Sequence, residues 1–209
     1  MRIDLHVHTK RHSPCSMIDP ADLGEKARRM GLDGVCLAEH DAMWDADEAE
    51  QLARDGGILI LRANEVSTNH GHVLVFGYEE NMEGVLVVLE ELCAEVARAG
   101  GLTVVSHPFR GFLLFGVADF QMSVEEACER TVFQHVDGVE ILNGMVREQG
   151  NDMARRVAQR LNLIGVAGSD AHRLDEVGRC VTILEREIST EKELIEELRA
   201  GRFTTGSLR

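Results

Sequence analysis

At 209 residues, with 44% hydrophobic and 28% charged side chains, the chain has the size and balance of one globular domain with a real core. Its formal net charge of -14 disfavours a groove for long nucleic acid, although bound divalent cations can make one pocket locally positive. There is no apolar leader segment, no run long enough to span a bilayer and no CxxC pair among Cys15, Cys36, Cys93, Cys128 and Cys180, so a cytoplasmic protein with no membrane partner is expected.

Short apolar runs alternate with longer amphipathic ones. A strand is predicted over 2–8, followed by a helix over 20–30 that Asp19 caps, Pro20 opens and Gly31 closes. A strand over 34–40 and a helix over 45–55 come next, then strands over 58–66 and 72–78. A helix over 83–99 ends at Gly100-Gly101, before a strand over 102–107. Ser123 and Glu126 form a capping box for a helix over 124–132. The remaining elements are strands over 138–142, 163–168 and 178–184 and helices over 147–161 and 191–200. No linker or repeat divides them, so residues 1–209 are expected to form one domain. Strands alternating with helices imply a mainly parallel α/β sheet, open or closed into a barrel, with chemistry at the C-terminal strand ends.

Six of the nine histidines fall at or beside a predicted strand end: His6, His8, His40, His72, His107 and His172. Five follow their strand, whereas His72 opens its own. Asp4, Glu65, Glu140 and Asp170 join the group. In His6-Val7-His8, alternate residues project to one face, so both imidazoles can reach a single cation at roughly 2.0–2.1 Å. Ile3, Leu5 and Val7 are expected to point the other way. Asp4 is expected on the histidine face one step deeper, as acceptor for an imidazole N–H.

Asp170-Ala171-His172 repeats the logic with a carboxylate and an imidazole, after the small residues Ala167-Gly168-Ser169. His40 precedes Asp41, which reads either as a helix N-cap or as a site residue. Glu65 closes a long apolar run, where burying an unpaired carboxylate is costly, and its two oxygens can bridge two cations. His107-Pro108-Phe109-Arg110 ends another buried strand and places Arg110 to clamp an anion. Glu140 is a ligand or a structural acid, and Cys15, in the loop after the first strand, is a ligand or a packing residue. His12, His70 and His135 read as surface residues.

Taken in order, Asp4-Leu5-His6-Val7-His8-Thr9, Glu39-His40-Asp41, Glu65-Val66-Ser67, His107-Pro108-Phe109 and Ser169-Asp170-Ala171-His172 resemble the successive motifs of the polymerase-and-histidinol-phosphatase (PHP) family. The likeness is to its short stand-alone metal-dependent phosphoesterases. The resemblance implies a distorted seven-stranded β/α barrel, similar to a TIM barrel, holding two or three divalent metals at its C-terminal rim. It implies that His6, His8, Glu65 and Asp170 hold one metal. Glu65 would bridge to a second held also by His107, and His40 with His172 would hold a third. The family places another His or Asp in the first loop, which here reads His12-Ser13-Pro14-Cys15-Ser16, so Cys15 is the nearest candidate. His72 and Glu140 are further candidates for the second metal.

The resemblance implies a metal-dependent phosphoesterase acting on a small phosphorylated substrate: a phosphomonoester, a nucleotide or a short oligonucleotide. Bound cations would lower the pKa of water to about 7, and in-line hydrolysis at phosphorus is the chemistry expected of them. Arg110 and the cations stabilise charge on the equatorial oxygens, and Asp41 is a candidate proton donor to the leaving group. Mixed nitrogen and oxygen ligation suits Mn, Zn or Fe better than Mg. Two rivals stand beside this reading. One is a metal-dependent amidohydrolase, although none of Lys10, Lys26 and Lys192 is placed as that group's bridging lysine. The other is a non-catalytic metal- or ligand-binding module. A nuclease for long DNA or RNA is disfavoured by the charge and the few aromatics.

Overall fold

The computed structural model describes residues 1–82, 84, 86–111 and 122–208. Its strands are β1 (Arg2–Val7), β2 (Gly34–His40), β3 (Leu59–Thr68), β4 (Gly71–Phe76), β5 (Leu102–Val105), β6 (Gly138–Asn143), β7 (Ile164–Gly168), β8 (Cys180–Leu184) and β9 (Phe203–Ser207). Its helices are α1 (Leu23–Met30), α2 (Ala46–Gly56), α3 (Leu89–Ala99), α4 (Val124–Cys128), α5 (Val132–His135), α6 (Glu148–Leu161) and α7 (Glu191–Arg199).

Local signals act as expected at most helix ends. Asp19 accepts from the Ala21 N–H ahead of a one-turn 3-10 helix, Pro20–Asp22, that feeds α1, and Gly31 closes α1 in the left-handed region. The Ser123–Glu126 capping box opens α4. The cap of α2 is Asp45, through the N–H groups of Asp47 and Glu48, so the cap reading of Asp41 is not met. The helix expected over 83–99 begins only at Leu89, and Glu83 and Val85 lie outside the described residues. The segment 124–132 divides between α4 and α5, and β9 is a strand the sequence did not announce.

The strands form one sheet in the order β7-β6-β5-β4-β3-β2-β1-β8-β9. Parallel ladders join β1–β2, β2–β3, β5–β6 and β6–β7. Antiparallel ladders join β3–β4, β4–β5, β1–β8 and β8–β9. Hence β4 and β8 run against the direction shared by β1, β2, β3, β5, β6 and β7. The sheet curls until the end of β7 meets β1, giving the nearly closed, distorted seven-stranded barrel expected, with β8 and β9 as an added ribbon. Closure uses a parallel bridge between Val7 and Ala171, in which His8 N–H donates to Ala171 O at 3.0 Å and Ala171 N–H to His6 O at 3.2 Å. Thr182 of β8 reinforces it, its hydroxyl accepting from Ala167 N–H and donating to Ala167 O, each at 3.0 Å.

One buried cluster joins Ile3, Leu5, Cys36, Ala38, Leu61, Ala63, Leu74, Phe76, Leu102, Val104 and Val166 with Leu194, Ile195 and Leu198 of α7. On β2, β3 and β4 the core residues Ala38, Ala63 and Leu74 lie two positions from His40, Glu65 and His72, on the same face of the strand, so the core forms the floor of the site.

Two β-bulges set which side chains face inward. Asp4 pairs with Val35 and Val7 with Leu37, so three steps of β1 span two of β2. The bulge inverts the alternation. Ile3 and Leu5 belong to the cluster just described, whereas Val7 packs with Val35 and Leu37 in another, so the shared face expected for Ile3, Leu5 and Val7 is corrected. Asp4 is likewise turned away from the imidazoles. Its carboxylate accepts from Ser169 N–H and Gly178 N–H, each at 2.8 Å, and ties β1 to the β7–β8 connection. A second bulge between Glu140 and Leu142 lets Glu140 and Asn143 face the same way, with Asn143 Nδ2 donating to Glu140 Oε2 at 2.8 Å.

Candidate metal centre

The strand directions bring His6, His8, His40, Glu65, His107, Asp170 and His172 to one rim. His72 joins them because β4 is antiparallel: its first residues lie where neighbouring strands end, with His72 opposite Ser67. Opening a strand, which set His72 apart in the sequence, is what brings it to this rim.

Glu65 is the hub and is fully buried. Its Oε1 accepts from Ser106 Oγ at 2.7 Å and lies 2.9 Å from His107 Nε2 and 3.4 Å from both His6 Nε2 and His72 Nδ1. Its Oε2 faces His40 Nδ1 at 3.0 Å and His8 Nε2 at 3.4 Å. Across from it, Asp170 Oδ1 lies 3.5 Å from His8 Nε2 and 3.7 Å from His6 Nε2. Asp170 Oδ2 accepts from Arg110 Nη1 at 2.6 Å. Among the described residues, three sets of donor atoms each gather within 4.8 Å: His6, His8 and Asp170; His8, His40 and His172; His40, Glu65 and His72.

The surrounding hydrogen bonds assign the ring tautomers. Glu140 Oε1 lies 3.0 Å from His6 Nδ1, and a carboxylate only accepts, so the proton sits on Nδ1 and Nε2 faces the centre. Ser13 Oγ donates its one proton to Glu39 Oε2 at 2.6 Å and accepts from His40 N–H at 3.1 Å. His8 Nδ1, 3.3 Å from the same oxygen, must therefore carry a proton too, which leaves its Nε2 free. His172 Nδ1 donates to the carbonyl of Asp170 at 3.0 Å, with the same result.

His6 Nε2 and His8 Nε2 stand only 3.0 Å apart, and they share one proton unevenly. Burial opposes charge on His6, but the carboxylates of Glu65, Glu140 and Asp170 outweigh it and hold its pKa well above the usual value. His8 goes the other way, down to about 3, chiefly through burial. Burial also opposes ionisation of Glu65 and Asp170, yet the nearby imidazoles keep both below the usual carboxylate range. Even so, Glu65 Oε2 and Asp170 Oδ1 are buried and accept no hydrogen bond. Two such oxygens, aimed where free Nε2 atoms converge, fit a divalent cation with mixed N and O ligation.

Backbone conformation is adapted to the same end. Asp41, His107 and Asp170 take positive φ values of 56°, 32° and 54°, in the region that disfavours residues with a Cβ. Gly168 lets β7 approach β1, since a Cβ there would lie 2.5 Å from His6 Cβ and 3.0 Å from Glu140 Oε1.

The other expected residues fall into place less directly. Glu140 stands behind His6, and its Oε2 accepts from His107 N–H at 2.9 Å, so it orients two imidazoles. Cys15 is exposed at the mouth, in a cleft of about 530 Å³ shared with His40, His72, Arg110 and His172, outside the three donor sets. Both oxygens of Asp41 accept from Ser67, Oδ1 from its N–H at 2.6 Å and Oδ2 from its hydroxyl at 2.8 Å. His12 is not a plain surface residue: its ring meets Trp44 edge-on with centroids 5.3 Å apart. Sequence reasoning missed Glu39, which is fully buried and accepts from Thr9 N–H, the Thr9 and Ser13 hydroxyls and Trp44 Nε1. Its signal was a charge directly after the apolar run Val35-Cys36-Leu37-Ala38, where an acid needs several donors to be buried.

Fold and rim together define an α/β barrel with a cluster of imidazoles and carboxylates at its open end. The family model for the PHP domain matches residues 4–99, and that for the PHP-associated segment matches residues 148–203. The chain belongs to the PHP family. It is similar to an uncharacterized protein of Methanocaldococcus jannaschii, 23% identical over 158 residues that cover 71% of this chain and 85% of that protein. It also resembles a 5'-3' exoribonuclease of Haemophilus influenzae, 32% identical over 68 residues, which are 32% of this chain and 24% of that enzyme. Among solved structures, a two-domain protein of Bacteroides vulgatus containing a predicted PHP-like metal-dependent phosphoesterase superposes with a TM-score of 0.74 at 19% identity. That match covers 100% of this chain, which spans 65% of the other's length. An amidohydrolase from Chromobacterium violaceum with bound sulfate and no metal superposes at 0.68 and 18% identity, over 97% of each chain.

Proposed function

We propose that the protein is a metal-dependent phosphoesterase that hydrolyses a small phosphorylated substrate. The observation that carries this reading is the pair of buried oxygens without a hydrogen bond, Glu65 Oε2 and Asp170 Oδ1, facing a cluster of imidazole nitrogens beside a guanidinium. His6, His8, Glu65 and Asp170 would hold one cation, Glu65 with His107 and His72 a second, and His40 with His172 a third. Divalent cations such as Mn, Zn or Fe would supply Lewis acidity toward a phosphoryl oxygen and bring the pKa of water toward neutrality.

The chain's own residues bind and orient the substrate. Arg110 stands at the mouth with its side chain 43% exposed, so it can keep Asp170 Oδ2 and still offer N–H groups to a phosphoryl oxygen. Glu140, Ser13 and the Asp170 carbonyl fix the imidazole tautomers. Both oxygens of Asp41 are engaged by Ser67, Oδ1 by its N–H and Oδ2 by its hydroxyl, which holds the side chain in place beside the rim.

The test is phosphate release from a panel of phosphomonoesters, nucleotides and short oligonucleotides after Mn²⁺ reconstitution, with Asp170→Ala as control. The likeness to an exoribonuclease is the reason for including oligonucleotides. Turnover that disappears in the variant is expected. No release from any member at full metal occupancy overturns the proposal and directs attention to amide hydrolysis.

A further inference from the structure

We propose that the cavity between Phe109 and the start of α6 is a second subsite, which takes the organic body of the substrate and reads a second negative charge on it through Arg147. This rests on the phosphoesterase reading and narrows its substrate class to compact phosphoesters bearing another anionic group.

The cavity measures about 240 Å³ and is walled by Phe109, Met145 and Val146, with Arg110 and Arg147 on its lining. Arg110 and Met145 also line the cleft over the candidate metal centre, so the two spaces adjoin. Arg110 also donates to Asp170 Oδ2 at 2.6 Å, so an occupant of the cavity would lie against the same arginine that reaches the candidate metal centre.

Size and charge narrow the occupant. Drug-sized pockets run roughly 300–1,000 Å³, so a smaller cavity suits one ring or a short chain. Gly150 keeps it open: a Cβ there would meet Val146 Cγ1 at 2.6 Å and Phe109 Cβ at 3.7 Å. The apolar walls favour carbon, and Arg147 on the lining favours an anionic group on the same occupant.

Arg147 is the residue that makes this a charge-reading site. It is exposed, and among the described residues its side chain has no carboxylate partner. Its neighbours around the rim are engaged otherwise. Arg173 pairs with Asp175 at 3.4 Å, and Arg130 donates to Pro108 O while lying over the rings of Phe109 and Phe133. In a chain of net charge -14, an arginine left to face a cavity beside a phosphate site marks a place for a ligand's anion.

The experiment uses phosphonates, whose P–C bond is not hydrolysed. Binding of alkylphosphonates and of ω-carboxyalkylphosphonates with chains of increasing length is measured calorimetrically on the Mn²⁺-loaded protein. The best carboxylated member is expected to bind at least about tenfold more tightly than its plain counterpart. In Arg147→Gln that ratio should fall to near one, in Arg147→Lys it should be intermediate, and in Arg160→Gln, at the far end of α6, it should persist. A ratio near one in the unmodified protein, a ratio that survives Arg147→Gln, or no binding by any carboxylated member overturns the proposal. Because no phosphonate is turned over, failure of the phosphoesterase reading would show separately, as absent phosphate release.

Discussion

His6 Nδ1 lies 3.0 Å from Oε1 of Glu140, and this contact decides which nitrogen of a metal-site imidazole faces the centre. Glu140 also holds His107 through its backbone N–H, so a single side chain positions two candidate ligands. Partners of this kind are typically worth about 10–100-fold in metal affinity. Glu140→Ala is expected to lose that much affinity for the first Mn²⁺ equivalent while keeping the circular dichroism of the folded chain. Unchanged affinity would show that the contact has no bearing on ligation.

Ser13 does for His8 what Glu140 does for His6, with Glu39 behind it. Ser13→Ala leaves the buried Glu39 short of one donor and the part-buried His40 N–H without its acceptor. The expected cost is about 1–3 kcal/mol in urea unfolding, together with weaker metal binding. Stability within a few tenths of a kcal/mol of the parent would contradict the assigned network.

A cation entering between His6 and His8 must displace the proton that the carboxylates hold on His6. Because the pKa of His6 is raised, the proton is bound more firmly as pH falls, and metal affinity should fall with it. Binding at neutral pH should release about one proton per first equivalent of metal, read by calorimetry in buffers of different ionisation enthalpy. In His6→Asn the release should vanish. Release that is independent of His6 would place the displaced proton elsewhere.

Cations that bind only the folded chain raise its stability by mass action, by about 2.7 kcal/mol at a hundredfold excess over Kd. For a chain of this length each kcal/mol moves the midpoint by about 2–4 °C, so Mn²⁺ should raise Tm on the order of 5–10 °C. Glu65→Ala, which removes the carboxylate common to most of the imidazole contacts, should abolish that rise. A variant that still responds fully would remove Glu65 from the centre.

Gly168→Ala would force a Cβ to within 2.5 Å of His6 Cβ. Overpacking of this kind costs about 1–3 kcal/mol. The urea midpoint should drop, and first-site affinity should fall with it because His6 is displaced. A drop in stability with intact metal binding would mean that β7, rather than His6, absorbs the strain.

Much of the site was legible because strand ends are legible. Glu65, His107 and Asp170 each follow an apolar run, and such runs end where the backbone leaves the core. Strand direction was not legible, which is why His72 seemed misplaced: its role depends on β4 pairing antiparallel with both neighbours. The face of Asp4 was misread because alternation assumes an unbroken pleat, and a bulge between Asp4 and Val7 leaves no mark in composition. β9 escaped because Phe203-Thr204-Thr205-Gly206-Ser207 is a half-exposed edge strand with one large apolar residue. Glu39 and Ser13 were overlooked because their importance lies in what they hold, which only the folded chain reveals.

The two bulges give the centre an unusual kind of inheritance. Exchanging one residue for another anywhere between Asp4 and Val7, or between Glu140 and Asn143, leaves the pleat count intact. Removing one residue from either stretch would swing the residues beyond it to the opposite side of the sheet. Such a deletion would carry off a pair of imidazoles in the first case and separate Glu140 from Asn143 in the second. Apart from Asp4, His6, Glu140 and Asn143, whose side chains are themselves engaged, these stretches should therefore tolerate spelling changes better than changes of length, and an insertion or deletion scan would find both to be among the least forgiving in the chain.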